Sequence, residues 1–94
     1  MTHPQIEQTL VAILKKHEAS RIGIFGSRAR GDSNTESDLD VLVDFNTSKS
    51  LLNLVSIEQE LTDAIGIKVD LLTESAISPH LIDQIRKDLK VIYQ

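Results

Sequence analysis

Residues 21–45 read Arg-Ile-Gly-Ile-Phe-Gly-Ser-Arg-Ala-Arg-Gly-Asp-Ser-Asn-Thr-Glu-Ser-Asp-Leu-Asp-Val-Leu-Val-Asp-Phe. Two apolar runs are held apart by residues 26–37, which contain two glycines, three serines and almost no apolar mass. The first run, Arg21 to Phe25, is stopped by Gly26 and predicts a strand. The second, Asp38 to Phe45, is rich in β-branched residues at a period of two and predicts another. The segment between them reads as a loop, with one short helical turn after Ser27. Alternation along a strand puts Asp38 and Asp40 on one face, with Cα atoms about 6.5–7 Å apart. Leu39, Val41 and Val43 then turn toward a core. Residues 32–44 carry Asp32, Glu36, Asp38, Asp40 and Asp44 without a single Lys or Arg. Carboxylates crowded on one face repel unless a proton or cation intervenes. Oxygen donors of this kind suit a hard divalent ion such as Mg²⁺, which is held by one or two carboxylates plus substrate phosphates.

The residues ahead of this pair supply the complementary chemistry. Gly26 lets the backbone approach a ligand closely, and amides following Ser27 can meet phosphate oxygens. The Ser27 hydroxyl adds a donor. Arg28 and Arg30 bring positive charge, and a guanidinium grips phosphate through two parallel bonds. Each piece alone has an ordinary explanation. An Asp-x-Asp is usually the exposed start of a strand, a Gly-Ser a plain turn, and an arginine a solvated surface charge. Their combination is harder to dismiss: a phosphate-binding turn ten residues before a same-face acid pair, each beside or within a strand.

Working outward, Ile6, Leu10, Ile13, Leu14 and His17 recur at helical spacing and predict a helix over 4–18, with Pro4 in its first turn. Leu51, Leu54, Val55, Ile57, Leu61 and Ile65 predict a second helix, capped by Ser50 and stopped by Gly66. The apolar stripe Leu51, Leu54, Val55 and Leu61 is expected in the core. Ile67 to Thr73 reads as a third strand. Ser78-Pro79 opens a third long helix, with Leu81, Ile82 and Ile85 as its apolar stripe. Leu89 to Tyr93 reads as a fourth, edge strand. The fold class expected is α/β (α+β), a small mixed β-sheet with helices packed on it, as one domain over residues 1–94.

Composition narrows the function classes. The 94 residues carry ten basic and fourteen acidic side chains, a formal charge of −4, which argues against direct nucleic-acid binding. Phe25, Phe45 and Tyr93 are the whole aromatic content and give no base-stacking platform. The absence of cysteine excludes thiolate metal sites and thiol catalysis. No apolar run reaches the roughly 20 residues of a membrane span, and a soluble cytoplasmic protein is expected. His3, His17 and His80 lack the spacing of a zinc site, and His17 is placed near a helix C-terminus.

The strings Phe25-Gly26-Ser27-Arg28-Ala29-Arg30-Gly31 and Ser37-Asp38-Leu39-Asp40-Val41-Leu42-Val43 resemble the Gly-Ser…Asp-x-Asp signature of the polymerase-β-like nucleotidyltransferases, in particular the minimal nucleotidyltransferases. The resemblance spans nearly the whole chain and implies that superfamily's fold. It implies a third carboxylate on a neighbouring strand, for which Asp70 in Ile67-Lys68-Val69-Asp70 stands at the matching place. Asp38, Asp40 and Asp70 would be the catalytic and metal residues, with one or two Mg²⁺ ions, and Gly26, Ser27 and Arg30 would bind the nucleotide. It further implies an antitoxin that transfers AMP from ATP to a hydroxyl, typically of a tyrosine, on a HEPN-type RNase toxin partner in a hetero-oligomer. Asp70 would complete the metal site and accept the hydroxyl's proton.

Two other functions fit the same residues: an antitoxin that neutralises by contact alone, and a catalytic subunit that modifies a small molecule through a separate substrate-binding chain. With no appended substrate domain, specificity is expected from a partner, docked on an exposed helix face or on the final strand. Asp44 shares the face of Asp40 but lies about 13 Å along the strand, too far for the same ion. Asp32 and Glu36 read as loop solvation, with Asp32 within reach of Arg30.

Overall fold

The computed structural model describes residues 2–31 and 38–94. Helix α1 (His3–Lys16) begins at a capping box in which Thr2 and Gln5 satisfy each other's backbone amides, with Pro4 in the first turn. Strand β1 (Ala19–Phe25) leads into the one-turn helix α2 (Ser27–Arg30). Strand β2 (Leu39–Phe45) is followed by α3 (Leu51–Ile65), capped by Ser50 and ended by Gly66 at φ 81°. Strand β3 (Val69–Thr73) runs into a 3₁₀ turn, Glu74–Ala76, before α4 (Pro79–Asp88) and β4 (Lys90–Tyr93). The predicted elements are all present, with ends shifted by a residue or two. The 3₁₀ turn is additional. Asp32 and Glu36 lie outside the described residues.

The sheet order is β3-β2-β1-β4, with β2 and β3 parallel and the other neighbours antiparallel. The mixed sheet of the α+β expectation is therefore present, and β4 is an edge strand as predicted. Alternation sorts its side chains. Ile22, Ile24, Leu39, Val41, Val43, Val69 and Leu71 face one side and pack with Ile6, Leu10 and Leu14 of α1 and Ile57, Leu61 and Ile65 of α3. Burial of these side chains from water is the main stabilising term of the fold. The Glu60 carboxylate of α3 ties the two helices, accepting from the Lys16 ammonium and lying 2.8 Å from His17 Nε2 at the end of α1. Those two bonds hold Glu60 below the usual carboxylate range.

The opposite face carries Gly23, Phe25, Asp40, Leu42, Asp44 and Asp70 by the same alternation. Part of it is covered by Leu89, which follows α4. A Cβ on Gly23 would come within 2.5 Å of Leu89 Cδ1, so the glycine makes room for that side chain. Buried Leu42 and Ile85 sit outside the main core cluster.

Two expectations about packing are corrected. Leu51 and Val55 are 76% and 54% exposed, whereas Leu61 is fully buried and Leu54 half-buried. The predicted stripe merged two faces of one helix. At about 100° per residue, Leu54, Ile57, Leu61 and Ile65 share a face, while Leu51 and Val55 align with Glu58 and Thr62 on a second. On α4, likewise, Ile85 is buried but Leu81 is 46% exposed.

Candidate active site

The uncovered end of the polar face is where the predicted residues meet. Asp40 on β2 is paired in register with Phe25 on β1 and with Asp70 on β3. Register alone therefore places Asp40 and Asp70 side by side, about one strand spacing apart. Their carboxyl groups face each other across the β2–β3 pair. Asp38, one residue before β2, adds a third negative charge to this group. The Lys68 ammonium lies 4.0 Å from a carboxylate oxygen of both Asp38 and Asp70.

These charges act on Asp40. Partial burial, then the neighbouring Asp70 and Asp38 charges, raise its carboxyl above the usual aspartate range, with Arg30 opposing them. The donor set is all oxygen, crowded and under-neutralised, which is what a hard divalent cation relieves. Among the described residues, no three acidic or histidine side chains already converge on one point as a metal cage. Three carboxylates beside a solvent-open turn nevertheless fit an ion that keeps several waters and takes further oxygens from phosphate.

Gly26 closes the site from the β1 side. Its φ of 76° lies in the left-handed region, and a Cβ there would stand 2.3 Å from Asp40 Oδ2. Both the backbone conformation and the approach of the carboxylate demand glycine. Gly26→Ala should therefore lower thermal stability and displace Asp40 together. The check is a melting curve beside a Mn²⁺ titration, and an unchanged Mn²⁺ affinity in a folded Gly26→Ala protein would show that Gly26 and Asp40 do not share a site.

The amides of Ala29 and Arg30 both donate to the Gly26 carbonyl at 3.1 Å. The expected phosphate cradle therefore excludes these two amides and keeps the Ser27 hydroxyl and amide. Arg30 donates through Nη1 to Asp88 Oδ2 at 2.7 Å, anchoring α2 to the end of α4. Its charge still reaches Asp40, but its guanidinium is engaged by a carboxylate that any phosphate must compete with.

Asp44 belongs elsewhere, as its distance along β2 predicts. It lies beside Glu74 of the 3₁₀ turn, whose carboxylate has Arg21 and Arg86 at 3.8 and 3.4 Å. Burial and the neighbouring Glu74 push Asp44 upward, while Asp44 and the two arginines hold Glu74 down. A cleft of about 460 Å³ opens near this end of the sheet, lined by Phe45, Lys49, Leu54 and Thr73 among others. It lies away from the three acids. Glu74 carried no signal in the sequence, because its role depends on a turn that follows β3.

Residues 8–94 match the family model "Polymerase beta, Nucleotidyltransferase". The chain belongs to this nucleotidyltransferase family. MJ0435 of Methanocaldococcus jannaschii, whose name assigns it provisionally to the protein adenylyltransferases, is 44% identical over 81 residues, covering 86% of this chain and 87% of that protein. The protein adenylyltransferase MntA of Thermococcus cleftensis is 31% identical over 93 residues, 95% and 94% of the two chains. The fold is shared with a toxin–antitoxin crystallised with AMP-PNP, at TM-score 0.85 and 24% identity, over 93% of this chain and 72% of that one. It is shared also with a complex of tri-AMPylated Shewanella oneidensis HEPN toxin and MNT antitoxin, at TM-score 0.82 and 20% identity, covering 98% and 72%. The small mixed sheet is thus that of the polymerase-β-like nucleotidyltransferases, and the chain is a nucleotidyltransferase. No described helix is long and apolar enough to cross a membrane.

Proposed function

We propose that this nucleotidyltransferase is a Mg²⁺-dependent protein adenylyltransferase that moves AMP from ATP to a tyrosine hydroxyl of a HEPN-type toxin and so acts as its antitoxin. The observation that carries this function is the meeting of Asp38, Asp40 and Asp70 with the Gly26–Ser27 turn on one open end of the sheet. Supporting it are the adenylyltransferase names of the relatives and the nucleotide analogue and AMPylated toxin held by proteins of the same fold.

Asp38, Asp40 and Asp70 would hold one or two Mg²⁺ ions. Bound there, such ions would supply Lewis-acid neutralisation of the phosphate charge. Ser27 hydrogen-bonds the triphosphate through its hydroxyl and amide, and the turn at Gly26 keeps the phosphates against Asp40. Asp70 accepts the proton of the attacking hydroxyl. The hydroxyl oxygen bonds to the α-phosphorus, the bond from that phosphorus to the bridging oxygen breaks, and pyrophosphate leaves with the bond's electrons. The protein contributes mainly positioning and electrostatics.

The test is incubation of the chain, α-labelled ATP and Mg²⁺ with the proposed HEPN-type toxin. Label on that protein, lost with a chelator and mapped to a tyrosine, is expected. Label on a small molecule alone would overturn the protein-acceptor assignment. Neutralisation without transfer would leave the chain an antitoxin that works by contact.

A further inference from the structure

Strand β3 is the outer strand beside β2, so one side of its backbone has no neighbouring strand among the described residues. The amides of Val69 and Leu71, the two residues flanking Asp70, are taken up instead by side chains of α3. Val69 N–H donates to Thr62 Oγ1 at 3.1 Å, and Leu71 N–H donates to Glu58 Oε2 at 2.9 Å. The geometry has a simple basis. Four residues of helix rise about 6.0 Å and two residues of strand about 6.6 Å, so an i, i+4 pair on a helix matches an i, i+2 pair of strand amides. The order is reversed, Thr62 to Val69 and Glu58 to Leu71, so α3 stands in for an antiparallel neighbour.

We propose that Glu58 and Thr62 are positioning residues for Asp70, fixing its height against Asp40 from the unpaired side of the strand. This rests on Asp70 acting in the site as proposed above. Edge strands are commonly blunted by lysines, bulges or shortness. Here a half-buried carboxylate is used, and Glu58 has no cationic partner among the described residues. Asp40 and Asp70 repel each other across the β2–β3 pair, and the two bonds from α3 hold β3 by the residues on both sides of the point where that repulsion acts.

The experiment compares Glu58→Ala and Thr62→Val, which lose the acceptor, with Glu58→Gln and Thr62→Ser, which keep one. Amide exchange at Val69 and Leu71, Mn²⁺ affinity of the nucleotide-free protein, and kcat and KM for ATP are measured on each. A displacement of the order of 1 Å at a reacting group costs up to about 10²-fold in rate. Glu58→Ala and Thr62→Val should each exchange faster at the freed amide, lose about tenfold in kcat and several-fold in Mn²⁺ affinity, and hold KM for ATP within about twofold. Glu58→Gln and Thr62→Ser should stay within about twofold of wild type throughout. Wild-type kcat and Mn²⁺ affinity in Glu58→Ala and Thr62→Val, with faster amide exchange, would overturn the proposal. So would a matched loss in Glu58→Gln, or a collapse of melting temperature that explains every loss. If wild type binds Mn²⁺ but transfers no AMP, the transfer function fails alone and the Mn²⁺ affinities of the variants still decide the positioning. If it does neither, both fail.

Discussion

Asp40→Asn should make the nucleotide-free protein more stable at neutral pH and at the same time abolish its nucleotide chemistry. The carboxyl of Asp40 sits above the usual aspartate range because of burial and the facing charges of Asp70 and Asp38. The folded state therefore holds this proton more tightly than the unfolded chain does. The penalty for keeping Asp40 ionised is fully present above its raised folded-state value. It is relieved as pH falls through that value toward the ordinary one for aspartate. Asparagine removes the penalty, so the melting temperature of the variant should exceed wild type by a few degrees near pH 7, with the gap closing in acid. Mg²⁺-dependent ATP affinity should fall with it, and AMP transfer should drop by about 10³-fold or more. Asp38→Asn should lose binding and transfer in the same way. Melting curves across pH, calorimetry with Mg²⁺ and labelled transfer check the three parts. A variant less stable than wild type at pH 7 would contradict the crowding of charge, and equal ATP affinity would remove Asp40 as a metal ligand.

This trade of stability for function is the part of the site that local sequence shows best. Asp38 and Asp40 on one face follow from strand alternation alone, and the turn at Gly26 follows from where the apolar run stops. Asp70 is different. It lies thirty residues beyond Asp40 and reaches it only because β3 pairs parallel with β2 in the register Asp40 to Asp70. Periodicity locates a strand there but does not choose its neighbour, so only the family resemblance points to Asp70 in the sequence, and the sheet order places it. The bond from Arg30 to Asp88 has no local signal for the same reason: Asp88 is fifty-eight residues away, at the end of α4.

The misplaced apolar stripe has another origin. Leu51 and Val55 are spaced as well as Ile57 and Leu61 are for a helix, and spacing alone does not say which of two adjacent faces is buried. The burial that separates them is set by where α3 crosses the sheet. The consequence is an exposed apolar turn, Leu51, Leu52 and Val55, at the start of the helix whose later turns carry Glu58 and Thr62.

Asp70→Asn should separate chemistry from binding. Asparagine keeps the shape and one ligand oxygen but loses the charge and nearly all of the basicity. Register holds residue 70 beside Asp40, and the flanking amides are tied to α3, so the strand itself should not move. ATP affinity should therefore change little, while single-turnover transfer of AMP should fall by about 10²–10⁴-fold, the range for a lost general base. Loss of the like charge facing Asp40 also predicts that the Asp40 carboxyl returns toward its ordinary range in this variant. The measurement is rapid-quench transfer of labelled AMP under saturating ATP, beside ATP affinity for the same preparation. Transfer at the wild-type rate would remove Asp70 from the reaction. Asp44 would not replace it, because it lies four residues along β2 from Asp40, beside Glu74 and its arginine partners Arg21 and Arg86. The remaining base would then have to come from the acceptor protein.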